Sequence, residues 1–131
     1  MRLVLDTHVA LWAIAKAKRL PADVAALIAD PANEIIVSAV SVWEISIKHA
    51  LSRGRPDHIM ILGAWALTYF RDAGYDLLSV SPEHAAAVEQ LPRLHSDPFD
   101  RLLVAQALTE PLRLITHDKA LAAYSDTVIL F

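Results

Sequence analysis

A single α/β domain built on a parallel sheet is the fold this sequence predicts, and three observations predict it. Short apolar runs recur at Leu3-Val4-Leu5, Ile35-Ile36-Val37 and Leu112 to Thr116, the pattern of strands buried on both faces. Stretches with helical apolar spacing and helix-capping residues separate them. Acids stand just past the first and last of these runs, at Asp6 and, after His117, at Asp118, where open α/β sheets place their ligands. At 131 residues the chain has the size of one domain. With no repeat, low-complexity tract or linker, residues 1–131 read as one unit.

In chain order, Leu3 to Leu5 forms the first strand and Thr7 is a plausible N-cap for a helix to about Lys16. Leu20-Pro21 opens a second helix that runs to about Asp30, where Pro31-Ala32-Asn33 breaks it. Glu34 to Ser38 is the second strand. Ser41 then starts a helix to about Leu51, and Ser41-x-x-Glu44 matches a capping box. Asp57 or His58 begins a long apolar helix, Ile59 to about Ala73, closed by Gly74. Tyr75 to Val80 is a third strand, and Ser81-Pro82-Glu83 starts a helix to about Gln90. Asp97 and Pro98 fit the N-cap and first position of another helix, with Asp100 in the same turn. Pro111 ends it. Leu112 to Thr116 is the fourth strand, a short helix runs to about Tyr124, and Thr127 to Leu130 is the last strand.

The 55% hydrophobic content and mean hydropathy of +0.37 suggest doubly buried strands or an apolar surface for a partner. The run from Ile59 to Phe70 is too short to span a bilayer, and Met1-Arg2 leads straight into a strand without a secretory signal. Cysteine is absent, so a cytoplasmic location is expected. A net charge of −3 excludes nucleic-acid binding by bulk positive charge, though not by local contacts. The basic groups Lys16, Lys18, Arg19 and Lys48, Arg53, Arg55 read as solvated helix ends.

Four acids, Asp6, Glu44, Asp100 and Asp118, lie after strands or at helix starts. Right-handed crossovers bring such positions to one edge of a parallel sheet. Converging carboxylates raise one another's pKa, and a divalent cation relieves the repulsion. Oxygen-only ligation favours Mg²⁺ or Mn²⁺. Each acid also has a purely structural reading, since Asp97 and Asp100 suit the positive end of a helix and Glu44 suits the capping box.

The segments Leu3-Val4-Leu5-Asp6-Thr7-His8, Ser38 to Lys48, His95 to Ala107 with Asp97-Pro98-Phe99-Asp100-Arg101, and Leu114-Ile115-Thr116-His117-Asp118 together resemble the PIN-domain ribonucleases. Within them they resemble the VapC-type toxins of toxin–antitoxin modules. The resemblance implies a parallel five-stranded sheet of order 3-2-1-4-5 flanked by helices, with Asp6 and Asp118 meeting at its switch point. It implies that Asp6, Glu44, Asp100 and Asp118 bind Mg²⁺ or Mn²⁺, that Thr116 hydrogen-bonds a ligand from behind, and that Asp97 supports the helix start. The implied activity is endonucleolysis of single-stranded RNA by metal-activated water, with Arg101 or Lys119 as phosphate contacts. His8, His95 and His117 lie near the acids and read as supporting or surface histidines. A homodimer and a cognate antitoxin are implied as partners, and the apolar segment Ile59 to Ala73 is the candidate surface for one of them.

Two rival classes fit less well. A haloacid-dehalogenase-like phosphatase wants a second Asp two residues after Asp6, where His8 stands. A receiver-like phosphoacceptor module needs an acid pair near the first strand and an Asp ending the third, and Leu5-Asp6-Thr7 and Ser79-Val80 supply neither. Another Mg²⁺-dependent phosphohydrolase and a non-catalytic PIN-like interaction module are the remaining alternatives.

Overall fold

The computed structural model describes residues 1–56 and 58–131. Five parallel strands form one sheet in the order β3-β2-β1-β4-β5, as expected. The elements are β1 (Arg2–Leu5), α1 (Thr7–Ala15), α2 (Ala22–Ala29), β2 (Glu34–Ser38), α3 (Ala39–Leu51), α4 (Gly63–Asp72), β3 (Asp76–Leu78), α5 (Pro82–Ala87), α6 (Pro98–Thr109), β4 (Arg113–Thr116), α7 (Lys119–Ala122) and β5 (Ile129–Leu130). A 3₁₀ turn, Val88–Gln90, continues α5. None of the described helices is long and apolar enough to cross a membrane.

The strand alternation splits the core into two layers. Leu3, Leu5, Ile35, Val37 and Ile115 face one side, where Val9, Ala10, Val24, Ile28, Ile45, Ala66 and Phe70 of α1 to α4 cover them. Val4, Ile36 and Leu114 face the other, under Leu103, Val104 and Ala107 of α6 and Leu121 of α7. Both faces are therefore apolar, which is why the strands carry unbroken Leu, Val and Ile. Each fully buried Leu or Ile contributes roughly 1.5–3 kcal/mol by its removal from water.

Several boundaries differ from the sequence reading. Helix α4 begins at Gly63, not Ile59. Ile59 is buried, Met60 is 79% exposed and Ile61 is half-buried, an alternation that belongs to extended chain. Ser52 Oγ accepts from Ile59 N–H at 3.2 Å, and His49 Nδ1 lies 2.8 Å from the Ile59 carbonyl, tying this segment to α3. A helix start at Asp57 lies outside the described residues. Glycine is required at 63 because a Cβ there would sit 1.9 Å from Ser46 Oγ, so α4 enters hard against α3. Gly74 closes α4 with φ +83°. The edge strands β3 and β5 are shorter than expected, covering Asp76–Leu78 and Ile129–Leu130.

Two caps also move. Asp6, not Thr7, is the residue before α1, and it makes no side-chain cap. Helix α3 starts two residues before Ser41, and Ser38 Oγ caps it by accepting from Val40 N–H at 3.0 Å. The Ser41–Glu44 capping box does not form, which leaves the Glu44 carboxylate available for other work.

Candidate active site

At the carboxyl edge of β1 and β4 a cleft is lined by Asp6, Glu44, Lys48, His95, Asp97, Asp100, Asp118 and Lys119, with His8, Trp12 and His117 on one wall. The register pairs Leu5 with Ile115, so the residues that follow each strand end emerge side by side. Thr116 links them. Its hydroxyl donates to Asp6 Oδ2 at 2.6 Å and accepts from Asp118 N–H at 3.0 Å. Asp118 Oδ1 accepts from Ala120 N–H at 2.9 Å, capping α7, while Oδ2 faces the cleft and meets His95.

Glu44 reaches the same cleft from the first turns of α3 and is almost fully buried. Its Oε1 accepts from the Thr7 hydroxyl at 2.7 Å, and its Oε2 is ion-paired with Lys48 one turn on. Thr7 also lies 2.9 Å from Ser41 Oγ. A buried carboxylate needs such partners to remain charged. Burial works against the Lys48 charge, but the hydrogen bond and attraction from Glu44 override it and hold its pKa above the ordinary range.

Helix α6 brings in the third side. Asp97 Oδ1 accepts from Phe99 N–H at 2.9 Å, the expected N-cap. Asp97 Oδ2 lies 4.0 Å from Lys48. Asp100 projects from the same turn with no hydroxyl or lysine to pair with. Its pKa is pushed up to about 7, first by burial and then by the charges of Asp6, Asp97 and Glu44. Burial likewise raises Asp6, against the opposing pull of the Thr116 hydrogen bond.

His95 joins Asp100 to Asp118, its Nε2 standing 2.9 Å from Asp118 Oδ2 and 3.3 Å from Asp100 Oδ2. Three ligand atoms of these residues lie within 4.8 Å of one another. The backbone N–H of Asp97 donates to His95 Nδ1 at 3.0 Å, so the neutral ring carries its proton on Nε2. In that tautomer His95 donates to the carboxylates and offers no lone pair to a cation. The donor set is thus carboxylate oxygen on three sides with too little positive charge among them, which fits a hard divalent cation.

The four predicted acids, Thr116 and Asp97 come together in this cleft, and Lys119 lies exposed on its rim. Arg101 does not line it. Its guanidinium donates to the carbonyls of Pro92 at 3.1 Å and Val88 at 3.2 Å and to the Tyr124 hydroxyl at 3.3 Å. These bonds brace the segment before His95. Three contributors take roles that the sequence reading does not assign them, Thr7 being read as an N-cap, Lys48 as a solvated helix end and His95 as a supporting or surface histidine. The place of Lys48 four residues after Glu44 signals the ion pair; for Thr7 and His95 the sequence offers only their adjacency to the acids.

The PIN domain family model matches residues 3–126, and the chain belongs to that family. Ribonuclease VapC22 of Mycobacterium tuberculosis (strain ATCC 25618 / H37Rv) is 29% identical over 125 residues, covering 93% of this chain and 91% of its own. The fold is similar to that in the crystal structure of VapBC2 from Rickettsia felis bound to a promoter DNA fragment. That likeness has a TM-score of 0.70 and 19% identity over 100% of this chain and 98% of the other. VapBC-5 from Mycobacterium tuberculosis, a toxin–antitoxin structure, superposes with a TM-score of 0.60 and 21% identity, over 99% of this chain and 98% of the other.

Proposed function

We propose that this chain, one PIN domain over residues 1–131, is a metal-dependent endoribonuclease toxin of the VapC type that cuts single-stranded regions of RNA in the cytoplasm. The observation that carries the reading is Asp100, a carboxyl raised to about 7 among Asp6, Asp97 and Glu44 at the switch point of a parallel sheet. Family membership and the likeness to Ribonuclease VapC22 support RNA cleavage.

In this reading Asp6, Glu44, Asp100 and Asp118 hold Mg²⁺ or Mn²⁺. A divalent cation bound there supplies Lewis acidity, lowering the pKa of water and neutralising charge on the phosphoryl oxygens. Thr116 ties the Asp6 carboxylate to the Asp118 backbone, and Thr7 with Lys48 holds both oxygens of Glu44 in place. Asp97 sets the start of α6, and so the direction of Asp100. Lys119 meets a backbone phosphate at the rim.

The test is cleavage of a mixed RNA pool with Mg²⁺ or Mn²⁺ by wild type and by Asp100→Asn purified identically. Cleavage that EDTA and the substitution both abolish is expected. Equal cleavage by both proteins would contradict the reading.

The likeness to VapBC structures supports an antitoxin as partner, and a homodimer is part of the same proposal. Met60, Trp65 and Tyr69 are largely exposed, and a cleft of about 620 Å³ lies between α1 and this region, lined by Leu11, Trp12, Ile61 and Tyr69. This is the surface we assign to the antitoxin. Phe70, which lies in the Ile59 to Ala73 segment expected to form this surface, is instead fully buried in the core. Trp65→Asp with Tyr69→Asp should lose antitoxin binding and retain the fold; retained binding would overturn that assignment.

A further inference from the structure

Trp43 immediately precedes Glu44 on α3, yet it is 55% exposed. Its ring meets Phe99, which immediately precedes Asp100 on α6, edge to face with centroids 4.8 Å apart and planes at 74°. Lys48 Nζ stands 5.9 Å from the Phe99 centroid while it pairs with Glu44 and lies 4.0 Å from Asp97. One aromatic pair and one ammonium therefore bridge two helices, and the ammonium belongs to both the pair and the acidic cleft.

We propose that Trp43 and Phe99 form a stacking platform for one unpaired nucleobase of the RNA, next to the phosphate held at the cleft, with Lys48 facing the backbone between the two. The inference rests on the ribonuclease reading and adds a nucleotide subsite to it. An exposed indole packed on a second ring beside the acidic cleft is suited to a flat apolar ligand. The chain as a whole is acidic, and its cleft more so, so a polyanion gains little from long-range attraction. Stacking supplies affinity without positive charge and accepts any base, because every base has a π face. It also selects unpaired RNA, since duplex bases are hidden from a side-chain plane. The T-shaped contact with Phe99 holds the indole in place, so less side-chain freedom is lost when a base arrives.

The test measures binding of a 3′-fluorescein-labelled unstructured RNA oligonucleotide by anisotropy, in EDTA and over a range of salt, for wild type, Trp43→Ala, Trp43→Tyr and Phe99→Ala. Sedimentation of each protein and steady-state cleavage with Mn²⁺ accompany it. Trp43→Ala should weaken binding roughly tenfold. The dependence on salt should not change, because no phosphate contact is removed. Trp43→Tyr should stay within about threefold of wild type, as another stacking ring. In cleavage, KM should rise for Trp43→Ala while kcat holds. Wild-type affinity in Trp43→Ala, equal losses in Trp43→Ala and Trp43→Tyr, or dissociation of a dimer by Trp43→Ala would each overturn the platform; the last would show a second copy covering this face. A wild type that binds RNA without cutting it would sink the nuclease reading alone, leaving the platform to the binding results. A wild type that binds no RNA would sink the platform.

Discussion

The two walls of the acidic cleft treat their carboxylates in opposite ways. On the α3 wall, Glu44 is more deeply buried than any other acid of the site, yet the Thr7 hydroxyl and the Lys48 ammonium satisfy both of its oxygens. On the α6 wall, Asp100 is less buried but meets Asp6, Asp97 and Glu44 with His95 as its ion-pair partner, and it retains a proton up to about 7. Burial acts on both walls, and they differ in the partners they offer a carboxylate: a hydroxyl and an ammonium on one side, other acids and a histidine on the other. The unrelieved wall is where a divalent cation gains most. In the proposed reading, the satisfied wall holds Glu44 in a fixed orientation beside it.

The comparison is broken most severely at Asp100. Asp100→Asn keeps the size of the side chain and removes the charge, and RNA cleavage should fall by a factor on the order of 10³ or more, read from initial rates at saturating Mn²⁺. Thr116→Val deletes the hydroxyl between Asp6 and Asp118 and should lower Mn²⁺ affinity or activity roughly 10–100-fold, measured by metal titration of the cleavage rate. Lys48→Met acts on the satisfied wall. It strands the Glu44 carboxylate, and because Lys48 is itself about one-third exposed the loss should be about 2 kcal/mol, seen as a lower urea midpoint at unchanged slope.

The smallest effect is on stability against pH. Without metal, Asp100 in the fold holds its proton up to about 7, whereas in the unfolded chain it releases it near 3.8. The folded state binds the extra proton in that window, so stability falls as pH rises from about 4 to 7 and levels off above it. Asp100→Asn should remove much of this slope and melt a few degrees, about 2–6 °C, above wild type at pH 8 in EDTA. A melting curve series from pH 4 to 8 checks the sign.

Much of the fold was legible because the strands are buried on both faces, which writes them as unbroken apolar runs at Leu3 to Leu5 and Ile35 to Val37. The carboxyl-edge acids Asp6 and Asp118 were legible for the same reason. The 59–62 segment was misread because extended chain and helix both suit a run of Ile, Met and Leu. Only its tie to Ser52 and His49, and the close approach of Gly63 to Ser46, decide between them. Glu44 kept a capping alternative because Ser41-x-x-Glu44 is a valid local pattern; the actual cap, Ser38, sits on the last residue of β2 and is held from outside by Gln106. Arg101 drew attention as a cation beside the acids, but its partners at Val88, Pro92 and Tyr124 are set by tertiary structure. The participation of Thr7 and His95 likewise depends on which residues the fold sets opposite them, 37 positions away for Thr7 and 23 for His95.

The most direct measurement of the central claim is the affinity of the intact chain for Mn²⁺ as a function of pH, by calorimetry, in wild type and Asp100→Asn. If the unrelieved carboxylates are the metal centre, wild type should bind more tightly as pH rises toward 7, releasing protons as the ion displaces them from Asp100 and its neighbours, and the variant should bind far more weakly. Mn²⁺ binding that ignores pH and is equal in both proteins would place the ion elsewhere and contradict the account.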